Sequence, residues 1–369
     1  MARWRYVARD LRTNAALAEL PLTDVSFGSV LNGAGSFSAT LPLTPQAATS
    51  SSSTTAAAAL LTAASQPERT AVFVERNGVT VWGGIIWSRN RGKGRAARLQ
   101  GAELWSFFRV QHLRTTKTYS AIDQLAIARD LINAAEAVTG ADIGVVTGTE
   151  TSGVLRDRTY QAFEVKQIGE AVEQLAACDN GFDFAIDPGP AGARTLNLGY
   201  PRRGRVFGST GLAFVDGKNL IDYDEVEDGS RSARVFTALG AGDGTDMRTS
   251  TITRTDLIDA GWPLTSSVGS FKDVSVQATL DGHARAGVNA RAVTPTFWRV
   301  MVDPDDPESG LGQFITGDDV LVEIGDDENF PRQADGSAGF RAPFRILSWQ
   351  VTVPDAGKEQ VQVELGGIL

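Results

Sequence analysis

The stretch VFVERNGVTVWGGIIWSRNRGKGRAARLQGAEL, residues 72–104, predicts three consecutive strands. The first strand ends at Asn77-Gly78, a dipeptide typical of tight hairpin turns. The second strand carries Ile85, Ile86 and Trp87, and a basic turn separates it from a third strand that ends near Gly101. Strand, tight turn, strand, charged turn and strand form an antiparallel meander.

The same order of elements returns at the C-terminal end of the chain. VLVEIGDDENF (residues 320–330) precedes FRILSWQVTVPDAGKEQVQVELGGIL (residues 344–369), which again gives a strand, a charged turn and a strand with glycines. In this alignment Ile85, Trp87 and Gly101 correspond to Ile346, Trp349 and Gly366, although the spacings differ by a few residues. We interpret the two stretches as the cores of two related β-barrel-like domains.

The residues between and around these stretches predict the rest of the fold. Phe37, Ala39 and Leu41 alternate with polar residues, the period of a half-buried strand. SAIDQLAIARDLINAAEAV (residues 120–138) predicts a helix that opens at Ser120 with Asp123 at capping-box spacing and places Ile122 on its apolar face. TYQAFEVKQIGEAVEQLAACDNG (residues 159–181) predicts a second helix with an apolar stripe from Val165 to Cys178.

These elements predict a mainly β fold with an α+β insertion. The expected division is a first β-barrel-like domain at residues 1–110, an inserted α+β lobe at 111–225, and a second β-barrel-like domain with one helix at 226–369. The Ser- and Ala-rich stretch at residues 46–67 predicts a loop that leads into a short helix.

Composition narrows the class of protein. The 369 residues carry a formal net charge of −9, and 42% of them are hydrophobic, enough for sizeable cores. The sequence pI of about 4.9 argues against a dedicated duplex-DNA binder. A single cysteine excludes an internal disulfide framework. No run approaches the ~18 apolar residues of a membrane span, so we expect a soluble protein made in a reducing cytosol.

The basic run at residues 89–98 stands out in this acidic chain. It is either a nucleic-acid site or the solvated tip of a hairpin, and the flanking strands favour the tip. Four of its residues are candidates for a protein interface: Arg89, Arg91, Lys93 and Arg95. Trp82 and Trp349 are candidates for subunit contacts because aromatic residues are enriched at interfaces, although most tryptophans of the two β-domains are expected in the core.

Catalytic signatures are sparse, and we expect neither enzymatic activity nor a cofactor. The chain has two histidines, His112 and His283, and lacks the H-E-x-x-H and G-x-S-x-G motifs. Cys178 lies on an apolar helical stripe, which favours a buried structural thiol over a nucleophile. The acidic loops at residues 303–310 and 325–330 do not have the spacing of a calcium loop, so no metal site is expected. Remote carboxylate pairs for glycoside cleavage stay open.

Several motifs together resemble the minor tail proteins of long-tailed phages that infect actinobacteria, and more broadly the tail-tip, or baseplate, hub family. The motifs span nearly the whole chain and are structural rather than catalytic: GSFSATLPL (35–43), VWGGIIWS (81–88), LQGAELWSFF (99–108), RDRTYQAFEVKQIGEAVEQLA (156–176), GFDFAID (181–187), YPRRGR (200–205) and GDDVLVEI (317–324).

The resemblance implies a structural virion protein at the distal end of the tail. Members of the family form a homotrimeric ring in which two barrel-like domains per chain give a pseudo-sixfold surface. The ring joins distal tail or tail-tube rings to tip or fibre proteins, meets the tape measure protein, and surrounds a channel through which DNA leaves without specific binding. In such a ring we expect the basic tip to face a neighbouring protein, for example the acidic loop Asp303–Glu308 of the next subunit.

Two other classes of function remain open at this stage. A receptor- or carbohydrate-binding tail module needs an exposed aromatic platform. A cell-wall hydrolase needs a carboxylate or Cys/His site.

Overall fold

The computed structural model describes residues 2–43, 54–93, 96–209, 211–272, 274–292, 296–325 and 329–368. Its strands, in chain order, are β1 (Trp4–Asp10), β2 (Ala16–Glu19), β3 (Thr23–Val30), β4 (Ser36–Pro42), β5 (Thr70–Arg76), β6 (Val79–Arg91), β7 (Ala96–Glu103), β8 (Lys117–Asp123), β9 (Val146–Thr147), β10 (Leu155–Tyr160), β11 (Asp183–Pro188), β12 (Arg194–Gly199), β13 (Ala213–Val215), β14 (Leu220–Glu227), β15 (Val235–Leu239), β16 (Thr249–Thr253), β17 (Ser266–Ser270), β18 (Thr296–Val302), β19 (Asp319–Ile324), β20 (Phe340–Val353) and β21 (Gln360–Gly367). The helices are α1 (Thr54–Ala63), α2 (Gln124–Glu136), α3 (Ile168–Ala176), α4 (Thr255–Asp259) and α5 (Gln277–Asn289).

One large sheet contains the strands of both predicted β-domains. Its order is β14-β18-β21-β20-β3-β4-β7-β6-β5-β1-β2, and β19 pairs with both β20 and β13. Two series of five antiparallel strands repeat within it: β3-β4-β7-β6-β5 in the N-terminal half and β14-β18-β21-β20-β19 in the C-terminal half. They join where β3 pairs with the second half of β20. The expectation of a mainly β fold is confirmed.

Two β-bulges give the alignment of the repeat. In β6 the register with β7 shifts between Ile86 and Ser88, and in β20 the register with β21 shifts between Ile346 and Ser348. The serine after each bulge bonds a side chain on the next strand: Ser88 Oγ donates to Gln100 at 3.1 Å and Ser348 Oγ to Glu364 at 3.0 Å.

The bulges correct the correspondence predicted from the sequence. Trp87 matches Leu347, because these are the extra residues at the two bulges, and Trp349 matches Arg89. Ile346 matches Ile86 rather than Ile85. Because Ile346 pairs with Leu365 and Ile86 pairs with Gly101, Gly101 matches Leu365 rather than Gly366. The letters Ile and Trp recur in both stretches and suggested a register that is one or two residues wrong.

The two β-domains share one hydrophobic core on one side of the sheet. Phe37, Ala39 and Leu41 are buried while the residues between them are partly exposed, which confirms the predicted alternation. The turn at Asn77-Gly78 has positive φ at both residues, 52° and 85°, as a two-residue hairpin turn requires. Trp298 and Phe27 belong to the same core as Val351, so apolar packing continues across the β3·β20 junction.

The inserted lobe packs α2 and α3 against small sheets and against the back of β5 and β6. Its helices begin later than predicted. β8 continues to Asp123, which caps α2 by accepting a bond from Leu125 N at 2.9 Å, so Ser120 and Ile122 belong to a strand and Ile122 is exposed. α3 begins at Ile168, because Val165 has a φ of 48° that no helix continues through.

A second, smaller unit is inserted between β14 and β18. In it β16, β15 and β17 form a sheet that packs on α5 through Phe236, Leu280 and Val288. The helix predicted near residues 278–293 is α5. The predicted limit between the lobe and the second β-domain, at residues 225/226, falls within β14.

Candidate assembly surfaces

Where the inserted lobe does not cover it, the side of the large sheet opposite the shared core is polar and has little net charge; we call this part the polar face. A row of small or amide side chains crosses four neighbouring strands, with Ser26 opposite Ser38, Ser38 opposite Gln100, and Gln100 opposite Ser88. Gln350 Nε2 donates to Ser26 at 2.9 Å. In the C-terminal half the matching row contains one base, Arg299, between two acids, Asp224 and Glu364. This face therefore offers hydrogen-bonding groups with little net charge.

Several edges of the large sheet, including the outer edges of β2 and β13, have no neighbouring strand among the described residues, and two of these edges carry charge of one sign. The first is the outer edge of β14, which pairs with β18 alone; we call it the acidic edge. Its carboxylates are Asp222, Asp224, Glu225 and Glu227, and all four residues are exposed. The second is the end of β6, residues 88–91, where pairing with β5 has stopped and β7 lies on one side only. We call it the basic edge.

The basic edge contains two of the interface candidates. Arg91 is exposed, whereas Arg89 is partly covered and donates hydrogen bonds to Thr62 O and to Ser65 Oγ, the latter at 3.0 Å. Burial, and next the positive charge of Arg91, lower the pKa of Arg89. Lys93 is exposed beyond the strand end, and Arg95 lies outside the described residues. The run is thus the end of a hairpin, as the flanking strands predicted.

Trp82 and Trp349 lie in the core and not on a free surface, which corrects their assignment as contact residues. Trp82 is 1% exposed, stacks on Phe37 at 5.4 Å between ring centroids, and donates its indole N–H to Gly28 O at 2.8 Å. Trp349 is 8% exposed and packs edge-on against Phe27 at 6.0 Å. The sequence places both tryptophans in strands, and strand periodicity alone does not distinguish a core residue from an interface residue.

The acidic loop at residues 303–310 has partners within its own chain. Asp305 pairs with Arg76, and Glu308 pairs with Lys218 at 3.0 Å. Asp306 accepts hydrogen bonds from Ser309, which lower its pKa. This loop is therefore a poor partner for the basic tip. The second acidic loop, 325–330, lies partly outside the described residues.

The YPRRGR motif fastens the lobe to the start of β19. Arg202 pairs with Asp319, and Arg205 pairs with Asp318 at 2.6 Å. The arginine between them turns to the lobe, where Arg203 meets Asp187 at 2.9 Å. Asp318 and Asp319 belong to the GDDVLVEI motif. Two motifs of the tail-protein resemblance therefore bind each other and connect the lobe to the second β-domain.

Cys178 and His283 meet inside the molecule, a contact that their distance in sequence did not reveal. Cys178 Sγ lies 3.3 Å from His283 Nε2, and Arg158 donates to the sulfur at 3.0 Å. Burial, and next the charge of Arg158, lower the pKa of His283 to about 3. Both residues are buried, and the contact joins the end of α3 to α5.

The described residues contain neither a candidate metal centre nor a helix that could span a membrane. The described residues contain no group of three or more His, Cys, Asp or Glu side chains able to hold a metal ion. None of the described helices is long and apolar enough to cross a membrane.

Comparison with known proteins identifies the fold. No family model and no curated protein matches the sequence. Solved structures do match over nearly the whole chain. A tail protein from Neisseria meningitidis MC58 has a TM-score of 0.61 at 15% identity, covering 98% of this chain and 96% of its own. The 43 kDa tail protein of prophage MuSo2 from Shewanella oneidensis has a TM-score of 0.60 at 12% identity, covering 99% and 98%.

A third match extends the set to another bacterial group. A prophage tail protein from Listeria monocytogenes EGD-e has a TM-score of 0.55 at 12% identity, covering 99% of this chain and 94% of that one. This chain has the fold of phage tail proteins. The resemblance predicted from the motifs is confirmed at that level, while an actinobacterial host and the hub family stay predictions.

Proposed function

We propose that this chain is a structural protein of a phage tail that forms a homotrimeric hub ring at the distal end of the tail. The ring joins distal tail or tail-tube rings to tip or fibre proteins and meets the tape measure protein. Its place is the tail tip of the virion, after assembly in the host cytoplasm. The division into residues 1–110, 111–225 and 226–369 is part of this proposal, with β14 completing the second β-domain.

The joined repeat is the observation that carries the proposal. Each chain contains two copies of one five-strand series, and the copies already meet edge to edge at β3·β20. An arrangement that repeats inside the chain, and in which the described residues leave one edge of β14 and one edge at the end of β6 without a neighbouring strand, can continue from chain to chain. Three chains then give six similar units, which suits a junction with sixfold tail rings.

The polar face supports a role as a DNA conduit. A basic lining would hold DNA phosphates through counterion release, whereas a lining rich in Ser and Gln side chains with little net charge lets DNA pass. In the proposed ring the polar face lines the channel, and DNA moves through it without specific binding. The chain has no catalytic role in this proposal: Cys178 and His283 are buried, and their contact joins α3 to α5.

The solution mass of the purified full chain tests the proposal. Native mass spectrometry or light scattering should give about three times 39.2 kDa at concentrations of tens of micromolar. A hexamer contradicts the hub and favours a tube ring. A monomer that binds glycans on an array contradicts it in favour of the alternative, a receptor- or carbohydrate-binding tail module.

A further inference from the structure

The repeat shows which strand is missing beside each open edge. Within the chain, β3 is covered along its outer edge by β20, from Val25 opposite Val353 to Val30 opposite Ser348. β14 is the counterpart of β3, and no strand of the described residues covers its outer edge. β6 is the counterpart of β20, and the described residues contain no strand beside its residues 88–91 that would match the cover of β20. The acidic and basic edges therefore each lack what the other can supply.

The two bulges align β6 with β20, so the register of the β3·β20 pair can be transferred to the acidic and basic edges. Ser88 matches Ser348, so Arg89 matches Trp349 and Arg91 matches Val351. On the other side, Phe27 pairs with Phe37 where Glu225 pairs with Trp298. Because Phe37 faces Gly101 and Trp298 faces Leu365 at matching places, Glu225 matches Phe27 and Glu227 matches Ser29.

We propose that β14 of one copy of this chain adds as an antiparallel strand to residues 88–91 of the next copy, with Arg89 opposite Glu227 and Arg91 opposite Glu225. This rests on the proposed function, since it is the contact that closes the ring. It repeats between copies the pairing that β3 and β20 make within one copy, where Val351 lies opposite Phe27 and Trp349 opposite Ser29.

Charge complementarity favours a second copy as the occupant of both edges. The register was taken from the backbone alone, yet it sets each arginine opposite a glutamate. Among the described residues, Arg91, Glu225 and Glu227 have no ion-pair partner within the chain. Directly opposite charges stabilise a strand pair, and like charges destabilise it.

The side chains also lie on the same side of the sheet. Arg89 and Arg91 face Leu99 and Ala97 across β7, both fully buried in the core. Glu225 lies beside Trp298, whose side chain is in the core. All four charges therefore project to the core side of the sheet, where they meet once the strands pair. Asn90 projects to the polar face with Arg98.

The proposed pair of β14 and β6 needs the ordinary spacing between strands, whereas β3 and β20 lie unusually close together at Gly28. A Cβ at Gly28 would lie 2.4 Å from Trp349 O, so β3 and β20 approach more closely than side chains normally permit. Val226 stands at the matching position of β14. We therefore expect the pairing between copies to have the usual separation of about 4.8 Å between strands.

Disulfide trapping tests the register directly. The full chain is made as the double variant Arg91→Cys/Glu225→Cys and oxidised with Cu(II)-phenanthroline; the native Cys178 is buried. Residues directly opposite in an antiparallel pair have Cα atoms about 4.5–5.5 Å apart, within the range of a disulfide. We expect most of the chain to become covalent dimer and then trimer on a non-reducing gel.

The control variant is Asn90→Cys/Glu225→Cys, whose cysteines lie on opposite faces because neighbouring residues of a strand alternate; we expect it to stay at least tenfold less cross-linked. A trimer by solution mass with no cross-link in the Arg91/Glu225 variant overturns the proposed pairing and leaves the hub standing. Equal cross-linking in both variants overturns the register. A chain that stays monomeric by mass and uncross-linked overturns both the pairing and the hub.

Discussion

The β3·β20 junction inside the chain and the two charged edges have matching strands and opposite chemistry. At β3·β20 the centre of the core side is apolar: Phe27 lies opposite Val351, is fully buried, and contacts the rings of Trp4, Trp82 and Trp349. At β14 and the end of β6 the matching positions carry Glu225 and Arg91. The first pairing forms within one chain, and in the proposed assembly the second forms only between two copies.

The difference shows how the two kinds of strand edge are managed. Unpaired strands invite unwanted pairing, and charged residues at an edge suppress it. Here each edge carries one sign of charge, so two acidic edges repel, as do two basic edges, and only the unlike pair is stabilised. That selects head-to-tail contact between copies, which closes into a ring when the rotation per copy permits.

The largest expected effect concerns the folding of the apolar junction. Phe27→Ala should lower the free energy of unfolding by about 3–5 kcal/mol, because it removes a buried ring and leaves a cavity. Glu225→Ala, at the matching open position, should change it by no more than about 0.5 kcal/mol. Urea unfolding of the monomeric form, followed by fluorescence, measures both. Similar losses in the two variants would mean that β14 is already part of a packed junction within the chain.

A smaller effect is expected from salt on association. Raising NaCl from 0.15 M to 1 M shortens the Debye length from about 8 Å to about 3 Å, which weakens the exposed ion pairs. The repulsion from the net charge of −9 acts over longer distances and is largely screened already at 0.15 M. We expect the concentration of half-assembly to rise about 3- to 10-fold, as measured by analytical ultracentrifugation. Association that strengthens with salt would indicate an apolar contact instead.

Much of the fold could be predicted from the sequence because its signals are local. The alternation at Phe37, Ala39 and Leu41 predicted a strand, and Asn77-Gly78 predicted the hairpin. The start of α2 was misplaced because Ser120 fits a helix cap as well as Asp123 does, and only the pairing of β8 with β10 shows that the chain is still extended there.

The assembly surfaces were harder to predict because they depend on distant residues. The basic tip was visible, but its predicted acidic partner, Asp303–Glu308, is occupied by Arg76 and Lys218, far away in sequence. The acidic edge was missed: in LIDYDEVE (220–227) the carboxylates mask the apolar alternation of a strand. Its charge, opposite to that of the basic run, was the one signal that could have found it.

Charge reversal with rescue tests the central claim most directly. The masses of three full-length variants are measured in solution at equal concentration: Arg89→Glu/Arg91→Glu, Glu225→Arg/Glu227→Arg, and the combination of all four changes. Arg98→Glu, on the same hairpin but on the polar face, is the matched control. We predict that each one-sided reversal weakens trimer formation about 10- to 100-fold, that the combination restores it, and that the control assembles normally. One-sided variants that assemble like the unmodified chain, or a combination that stays as weak as its halves, would contradict the pairing of β14 with β6.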